Sequence, residues 1–349
     1  MKFSILFAGL SVASSIRAQV AIPRFTGAIA ANEARYTREM QYAPSDTPLR
    51  WLPSGQLLLL HLEQYNAADV YSSTCGGSGL YATDATGRGA PRALAVGWPA
   101  CEAAQTDGGA AVDPLGQILV YSAYVKPNNS RLVRLHLGDG RLDTLRTGCA
   151  IYHEHAAFSP DGRLIASDGM CRTRNGSYEI YLMGANGTGL HRIGVSDTAA
   201  HESPGWSPDA ERIVYVRRRG SPERPTNDIV IGDSAGRRAN VLAHGLLPSW
   251  SPTGESIAFL ALDADRRDEY EIRLIRPNGS DEHVVFRNRL RSTFARGWGP
   301  MFEGRIWGRL VWSPDGKELA FTRAYGHGSG IWVVNVATGA ARQLTTPSK

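Results

Sequence analysis

The segment VWSPDGKELAFTR, at residues 311–323, decides the fold because five other segments of the chain repeat its pattern. In each one an aromatic or aliphatic residue stands two positions before a proline, and a largely apolar run follows. The other five are RWLPSGQLLLLHL (50–62), AVDPLGQILVYSA (111–123), AFSPDGRLIASDG (157–169), GWSPDAERIVYVR (205–217) and SWSPTGESIAFLA (249–261). Their prolines recur at intervals of 44 to 62 residues, a period that indicates four-stranded propeller blades.

The Ser-Pro-Asp-Gly core of the repeat predicts a reversal between two strands. Proline presets φ, the acidic residue can bond the following backbone, and glycine accepts the left-handed conformation. We therefore expect positive φ at Gly162 and Gly316, with Ala210 at the equivalent position of the fourth segment. A second turn signal, such as Asn186-Gly187, follows a further short strand. Each repeat thus supplies four strands.

Six such repeats predict an all-β fold, a six-bladed β-propeller of four-stranded antiparallel blades over residues 45–349. Residues 19–44 form an N-terminal extension that could add a strand and close the ring, since an open sheet edge is a liability. We assign the two long intervals to insertions at residues 63–79 and 287–307. Seven blades are the alternative, because a long interval could hold part of another blade.

Residues 1–18 have the layout of a secretory signal peptide. Lys2 gives a positive start, residues 3–13 are apolar, and Ala18 offers a small residue at the cleavage point. The apolar run is shorter than the roughly 20 residues that span a bilayer. We predict a periplasmic or secreted protein without a membrane span.

Composition excludes several classes of protein. Hydrophobic residues make up 42% of the 349 positions and charged residues 20%, as in soluble globular proteins. The formal net charge of +5 is too small and too dispersed for a nucleic-acid partner, which needs a concentrated basic face. We expect a monomer that uses no cofactor.

Four cysteines fit an oxidising compartment, where thiols normally pair. Three connectivities are possible, and we favour the sequential one, Cys75 with Cys101 and Cys149 with Cys171, because it closes two loops of similar size. A zinc site is the competing interpretation, but no Cys-x-x-Cys spacing occurs in the sequence.

The repeat core resembles that of the TolB-like six-bladed propellers, which carry WD40-like PD40 repeats with a Trp-Ser-Pro-Asp-Gly motif. Residues 312–316 and 158–162 match it closely, and residues 206–209 and 250–252 match in part. The resemblance covers most of the chain after residue 18 and implies the fold. Similar repeats precede the hydrolase domain of prolyl oligopeptidase relatives. The one Gly-x-Ser-x-Gly match in the sequence, residues 232–236, falls in a predicted hairpin turn of the fourth repeat and not between a strand and a helix, so we do not expect peptidase activity.

Candidate site residues lie where strands enter the predicted blades, at the mouth of the central channel. In a propeller, the segment before a blade's first strand and the loop between its second and third strands share one face, where binding residues are usual. Imidazole and carboxylate groups there could bind a divalent metal, perform acid–base chemistry, or have a structural or ligand-contact role. The residues are Glu102, His153, Glu154, His155, His201 and Glu202.

Two further features could form a binding surface. Trp298 and Trp307 lie in the 287–307 insertion, either exposed for a partner or packed on the propeller. The basic stretch Arg217 to Arg219 is predicted to begin a loop of the fourth blade, either solvated or facing an acidic partner.

The leading functional hypothesis is a non-catalytic binding module for a protein or glycan partner, which would use the channel face. The alternative is a polysaccharide-active enzyme, because oligogalacturonate lyases resemble these propellers and use a histidine-rich metal site. A His/Glu rim at the channel mouth would then carry the chemistry.

Overall fold

The computed structural model describes residues 41–42, 45–63, 65–66, 77–96, 100, 103, 109–125, 129–145, 150–171, 177–193, 199–221, 224–236, 238–262, 269–289, 306–325 and 328–346. Within them the chain is all-β, with strands and turns almost throughout. In the part of the chain that is described, no helix is long and apolar enough to cross a membrane.

The strands group into units of four, each an antiparallel sheet whose strands pair in chain order. Unit 1 contains β2 (Ser45–Trp51), β3 (Gln56–Leu62), β5 (Gly79–Asp84) and β6 (Arg92–Val96). Unit 2 contains β7 (Ala111–Val112), β8 (Ile118–Val125), β9 (Asn129–His136) and β10 (Leu142–Thr144). Unit 3 contains β11 (Ala150–Phe158), β12 (Leu164–Cys171), β13 (Glu179–Gly184) and β14 (His191–Ile193).

The second half of the chain repeats this arrangement. Unit 4 contains β15 (Ala200–Trp206), β16 (Arg212–Ser221), β17 (Arg224–Asp233) and β18 (Ala239–His244). Unit 5 contains β19 (Leu246–Trp250), β20 (Ile257–Leu262), β21 (Glu269–Ile275) and β22 (His283–Arg289). Unit 6 contains β23 (Ile306–Trp312), β24 (Glu318–Tyr325), β25 (Gly328–Asn335) and β26 (Ala341–Gln343).

The units follow one another in a closed series. The first strand of each unit contacts the first strand of the next, and β23 of unit 6 contacts β2 of unit 1. One parallel pairing, Ser45 with Ser329, also joins β2 to β25. Arg342 Nη2 donates to the Ala85 carbonyl at 2.8 Å, a further link between units 6 and 1. The two ends of the described chain are thereby held together.

The hydrophobic core is divided among the junctions between units. Alternate residues of a strand point to opposite faces of its sheet, so each unit packs on both neighbours. In unit 5, Ala258 packs towards unit 6 and Phe259 packs towards unit 4. Separate clusters of this kind occupy the junctions 1–2, 2–3, 3–4, 4–5, 5–6 and 6–1. This architecture is that of a β-propeller.

The turns between first and second strands have the predicted geometry. Gly162 and Gly316 have φ of +72° and +70°, and the Gly162 N–H donates to the Ser159 carbonyl at 2.9 Å. Ala210 adopts the same conformation with φ of +59°, although an L-residue is strained there. The predicted alignment of the fourth repeat with the others is confirmed at this turn.

One segment differs from the sequence expectations, and one pair of short strands extends them. The stretch Arg217 to Arg219 lies in strand β16, because the buried Asp228 carboxylate accepts hydrogen bonds from Arg217 and Arg219 and neutralises them there. Strand β4 (Tyr65–Asn66), in the first predicted insertion, pairs with β1 (Gln41–Tyr42). Residues 19–40 and 290–305 lie outside the described residues, so the closing strand and most of the second insertion stay predictions.

Candidate functional site at the centre of the units

The first strands carry irregularities at matching places. Register shifts occur between Pro48 and Arg50, His153 and Ala156, Glu202 and Gly205, Leu246 and Ser249, and Trp307 and Val311. Positive φ accompanies three of them, at Ser203 (+56°), Leu247 (+54°) and Gly308 (+78°). A β-bulge leaves an extra residue out of the ladder and redirects side chains. Polar groups near these bulges form the candidate site.

Asp168 is the anchor of this site. It lies in β12 with a fully buried side chain, opposite the bulge of β11. Its Oδ1 accepts the His155 N–H at 2.6 Å, and its Oδ2 accepts the Ser203 N–H at 2.8 Å. The same Oδ2 lies 2.7 Å from His155 Nδ1. One carboxylate therefore fixes the bulges of units 3 and 4.

Asp168 is held in its ionised form. Burial alone would raise the pKa of this carboxyl group, because it disfavours the charged state. The charge of His155 and hydrogen bonds from His155 and Ser203 outweigh burial and hold the pKa below its usual value. The carboxylate is thus a permanent acceptor near neutral pH.

Arg309 brings unit 6 to this site. It follows Gly308 in β23, and its Nη2 donates to the Ala156 carbonyl of β11 at 3.1 Å. Units 3 and 6 are separated by two units in either direction along the closed series, so this side chain extends across the centre. Burial lowers the pKa of Arg309 to about 10, an effect that Asp168 opposes and Arg50 reinforces. The guanidinium is still protonated at neutral pH.

Arg50 in β2 is the second cation at the centre. Burial lowers its pKa, whereas the Asp113 carboxylate raises it. Its Nε is buried and has no hydrogen-bond partner among the described residues. We call Arg50, His155, Asp168, Ser203 and Arg309 the central cluster. It combines residues from units 1, 3, 4 and 6.

The three predicted histidines have different environments. His153 and His201 are each 1% exposed, inside the sheets. His153 Nδ1 lies 3.0 Å from Ser167 Oγ, and burial lowers the pKa of this imidazole to about 4. His201 Nδ1 lies 3.4 Å from Glu179 Oε2. By contrast, the His155 side chain is 26% exposed, so it is the one of these three that a ligand can reach without displacing its neighbours.

The carboxylates and tryptophans predicted for the rim are described only in part. Glu202 pairs with Arg218, whose Nε donates to Oε1 at 3.1 Å, so this carboxylate is joined to its own unit. Glu102 and Trp298, and the side chains of Glu154 and Trp307, lie outside the described residues. Their roles at the rim stay predictions.

The two predicted disulfides stay predictions as well. Cys75, Cys101 and Cys149 lie outside the described residues, as does the Cys171 side chain. The Cys171 backbone pairs with Ala150, the residue after Cys149. Within the described residues, no group of three or more His, Cys, Asp or Glu side chains could hold a metal ion.

Asp168, Arg309 and Arg50 were not among the sequence candidates. A signal for Asp168 is present, because it interrupts the apolar run Leu164-Ile-Ala-Ser-Asp168, where a buried charge is costly unless it is paired. Arg309 and Arg50 each lie within three residues of a repeat tryptophan. Nothing in their spacing reveals that they approach one another.

Comparisons with curated proteins give partial matches. No family model matches the chain. Dipeptidyl-peptidase 5 of Porphyromonas gingivalis is 28% identical over 149 residues, 40% of this chain and 20% of the peptidase. An uncharacterized protein of Agrobacterium fabrum is 24% identical over 294 residues, 83% of this chain and 86% of that protein. The Tol-Pal system protein TolB of Anaeromyxobacter dehalogenans is 29% identical over 140 residues, 39% of this chain and 27% of TolB. The chain thus spans a minor part of the peptidase and of TolB.

Solved structures share the architecture. TolB from Acinetobacter baumannii superposes with a TM-score of 0.58 at 14% identity, over 85% of this chain and 64% of that one. A protein of Agrobacterium tumefaciens provisionally assigned as TolB gives 0.52 at 22% identity, over 68% and 80%. Oligogalacturonate lyase from Vibrio parahaemolyticus gives 0.54 at 11% identity, over 87% and 79%. At these identities the likeness shows the fold alone, and the predicted TolB-like β-propeller is confirmed.

Proposed function

We propose that this TolB-like propeller is a periplasmic or secreted binding module, which holds a protein or glycan partner at the centre of its units and performs no chemistry. The central cluster carries the proposal. Its carboxylate is committed to three contacts, from His155 and Ser203, and Arg309 is bonded to backbone. Groups fixed in this way form a rigid surface for recognition, since pre-organised contacts lose little entropy when a partner binds.

The proposal includes six blades. Six units of four strands support this number, as does the core at the junction between units 6 and 1. The link from Arg342 to the Ala85 carbonyl supports direct closure between those units. A seventh blade would have to separate residues that are bonded here.

Export and two disulfides form a further part of the proposal. The signal-like residues 1–18 support export, and the backbone pairing of Ala150 with Cys171 brings the chain on either side of that pairing together. Peptide mapping without reductant should find Cys149 joined to Cys171 and Cys75 joined to Cys101. Free thiols, or Cys75 joined to Cys149, would contradict this pairing.

The test of partner binding compares two histidines of the same unit. His155 is partly exposed in the central cluster, whereas the exposed His191 lies at the start of β14, bonded to the Gly189 carbonyl of the hairpin before it. The partner is captured from envelope or culture extract with the full chain, identified by mass spectrometry and then titrated in purified form. We expect His155→Ala to weaken binding at least tenfold and His191→Ala to leave it unchanged. Equal affinities would place the partner elsewhere.

Metal analysis tests the enzymatic alternative. The protein purified without chelators should contain no stoichiometric transition metal if it is a binding module. Stoichiometric manganese or zinc that is lost in a His153→Ala, His201→Ala double variant would favour the polysaccharide-active enzyme instead.

A further inference from the structure

Arg50 and Arg309 are two like charges that the fold brings together at its centre. They belong to units 1 and 6, whose first strands are in contact. Both side chains are partly buried, and the charge of Arg50 acts on Arg309. Two guanidinium charges that act on each other in a partly buried place are unfavourable unless anions compensate them. The nearby anions therefore decide what the pair can do.

The carboxylates that act on these two arginines also bond other groups. Asp168 serves His155 and Ser203. Asp113 caps the turn of unit 2, where its Oδ1 accepts the N–H groups of Gln117 at 2.6 Å and Ile118 at 2.7 Å. Neither carboxylate bonds Arg50, whose Nε is buried and has no partner among the described residues. A buried charged donor without an acceptor is rare and needs an explanation.

We infer that Arg50 and Arg309 form a binding site for a carboxylate group carried by the partner. The Nε–H and Nη–H groups of a guanidinium form a planar fork that matches a carboxylate with two parallel hydrogen bonds. Such a ligand satisfies Arg50 Nε and reduces the repulsion between the two arginines.

The surroundings favour a carboxylate on a peptide. The first strands β7, β11, β15, β19 and β23 are terminal in their sheets, so one edge of each is unpaired within the sheet. Exposed strand edges bind extended peptides through main-chain hydrogen bonds. An Asp or Glu side chain of such a peptide would meet Arg50 in the central cluster, which includes the partly exposed His155. This inference rests on the proposed function, since it names the chemistry that the same site recognises.

The test measures the arginine side chains directly. In an NMR titration of the full chain with sodium acetate against sodium chloride, at equal ionic strength and pH 7, we expect a saturable shift of the Arg50 Nε resonance with acetate only. Arg50→Met should weaken acetate binding at least tenfold, as followed in every variant by the Arg309 Nε resonance. Arg163→Met is the matched control, because Arg163 is 85% exposed in the turn of unit 3 and should bind acetate like the wild type.

Each outcome decides a different point. Equal responses to acetate and chloride, or unchanged acetate binding in an Arg50→Met variant that retains the wild-type circular dichroism, overturn the site. Short blocked peptides with one glutamate should bind more tightly than glucuronate, and the reverse order overturns the peptide source and favours an acidic glycan. Acetate binding needs no partner, so its failure leaves the His155 and His191 comparison intact. Intact acetate binding with no effect of His155→Ala on capture would instead contradict the proposed function.

Discussion

Asp161 and Asp168 are seven residues apart in unit 3 and have different structural roles. Asp161 lies in the turn, where Oδ1 accepts the Ser159 hydroxyl at 2.6 Å and the Arg163 N–H at 3.0 Å. Asp168 lies at the centre, where one of its donors is Ser203, 35 residues away. Both carboxyl groups have lowered pKa values, the first chiefly through the Ser159 hydrogen bond and the second against the effect of burial. A turn is thus stabilised by its own sequence, whereas the centre depends on the assembly of the units.

The largest expected difference is between Asp168→Asn and Asp161→Asn. Removing the buried charge leaves His155 without its anion, and losses of about 3–5 kcal/mol are typical when one partner of a buried charge pair is removed. Asp161 is in the exposed turn, so its substitution should cost at most about 1 kcal/mol. Urea unfolding at pH 7 measures both. Equal losses would show that the centre contributes no more than a turn.

As the pH falls, the effect of His153 should lower the free energy of unfolding before the effect of Asp168 does. The folded-state pKa of His153 is about 4, below the ordinary 6.5, so between these values the unfolded chain binds the additional proton. Stability from the neutral imidazole is complete above pH 6.5 and is lost as pH falls towards 4, roughly 3 kcal/mol in total. The pKa of the Asp168 carboxyl group is lowered, so the stability that its charge contributes is lost only below about pH 3.8.

A pH series of unfolding curves tests this order. His153→Asn should flatten the slope between pH 4 and 6.5, and His191→Asn, which changes an exposed ring, should leave the slope unchanged. An unaltered slope in His153→Asn would assign the acid sensitivity to other groups.

A smaller effect is expected within the turns. Gly316→Val places a β-branched residue at φ of +70°, which costs roughly 1–3 kcal/mol. Ala210 already has φ of +59°, so Ala210→Val should cost less. Thermal midpoints of the two variants give the comparison. Equal decreases would mean that the two turns do not share one conformational constraint.

The smallest difference concerns a bond between units. Trp206 Nε1 donates to the Ala157 carbonyl of the preceding unit at 3.1 Å, whereas Trp250 Nε1 has no hydrogen-bond partner among the described residues. Trp206→Phe should therefore destabilise by about 1 kcal/mol more than Trp250→Phe. Urea midpoints resolve such a difference. If Trp250→Phe costs as much, packing rather than the hydrogen bond holds these junctions.

The central site shows why the sequence alone could not distinguish the role of His153 from that of His155. His153 and His155 are two apart, so a regular strand would place them on the same face. The register shift between His153 and Ala156 breaks that alternation, so that His155 Nδ1 lies 2.7 Å from Asp168 Oδ2 whereas His153 Nδ1 lies 3.0 Å from Ser167 Oγ. A bulge at this place has no turn motif to reveal it. The strands themselves follow the apolar runs that the sequence predicts.

The sequence by itself determined the repeats, the turns and the TolB-like propeller. Proline, aspartate and glycine act within a few residues, and the positive φ at Gly162 and Gly316 follows from that local chemistry. The tertiary structure alone decided the central cluster. Arg309 bonds a carbonyl 153 residues away, and Asp168 joins units 3 and 4. Such contacts depend on how whole units are placed around the centre, and no rule based on neighbouring residues fixes that placement.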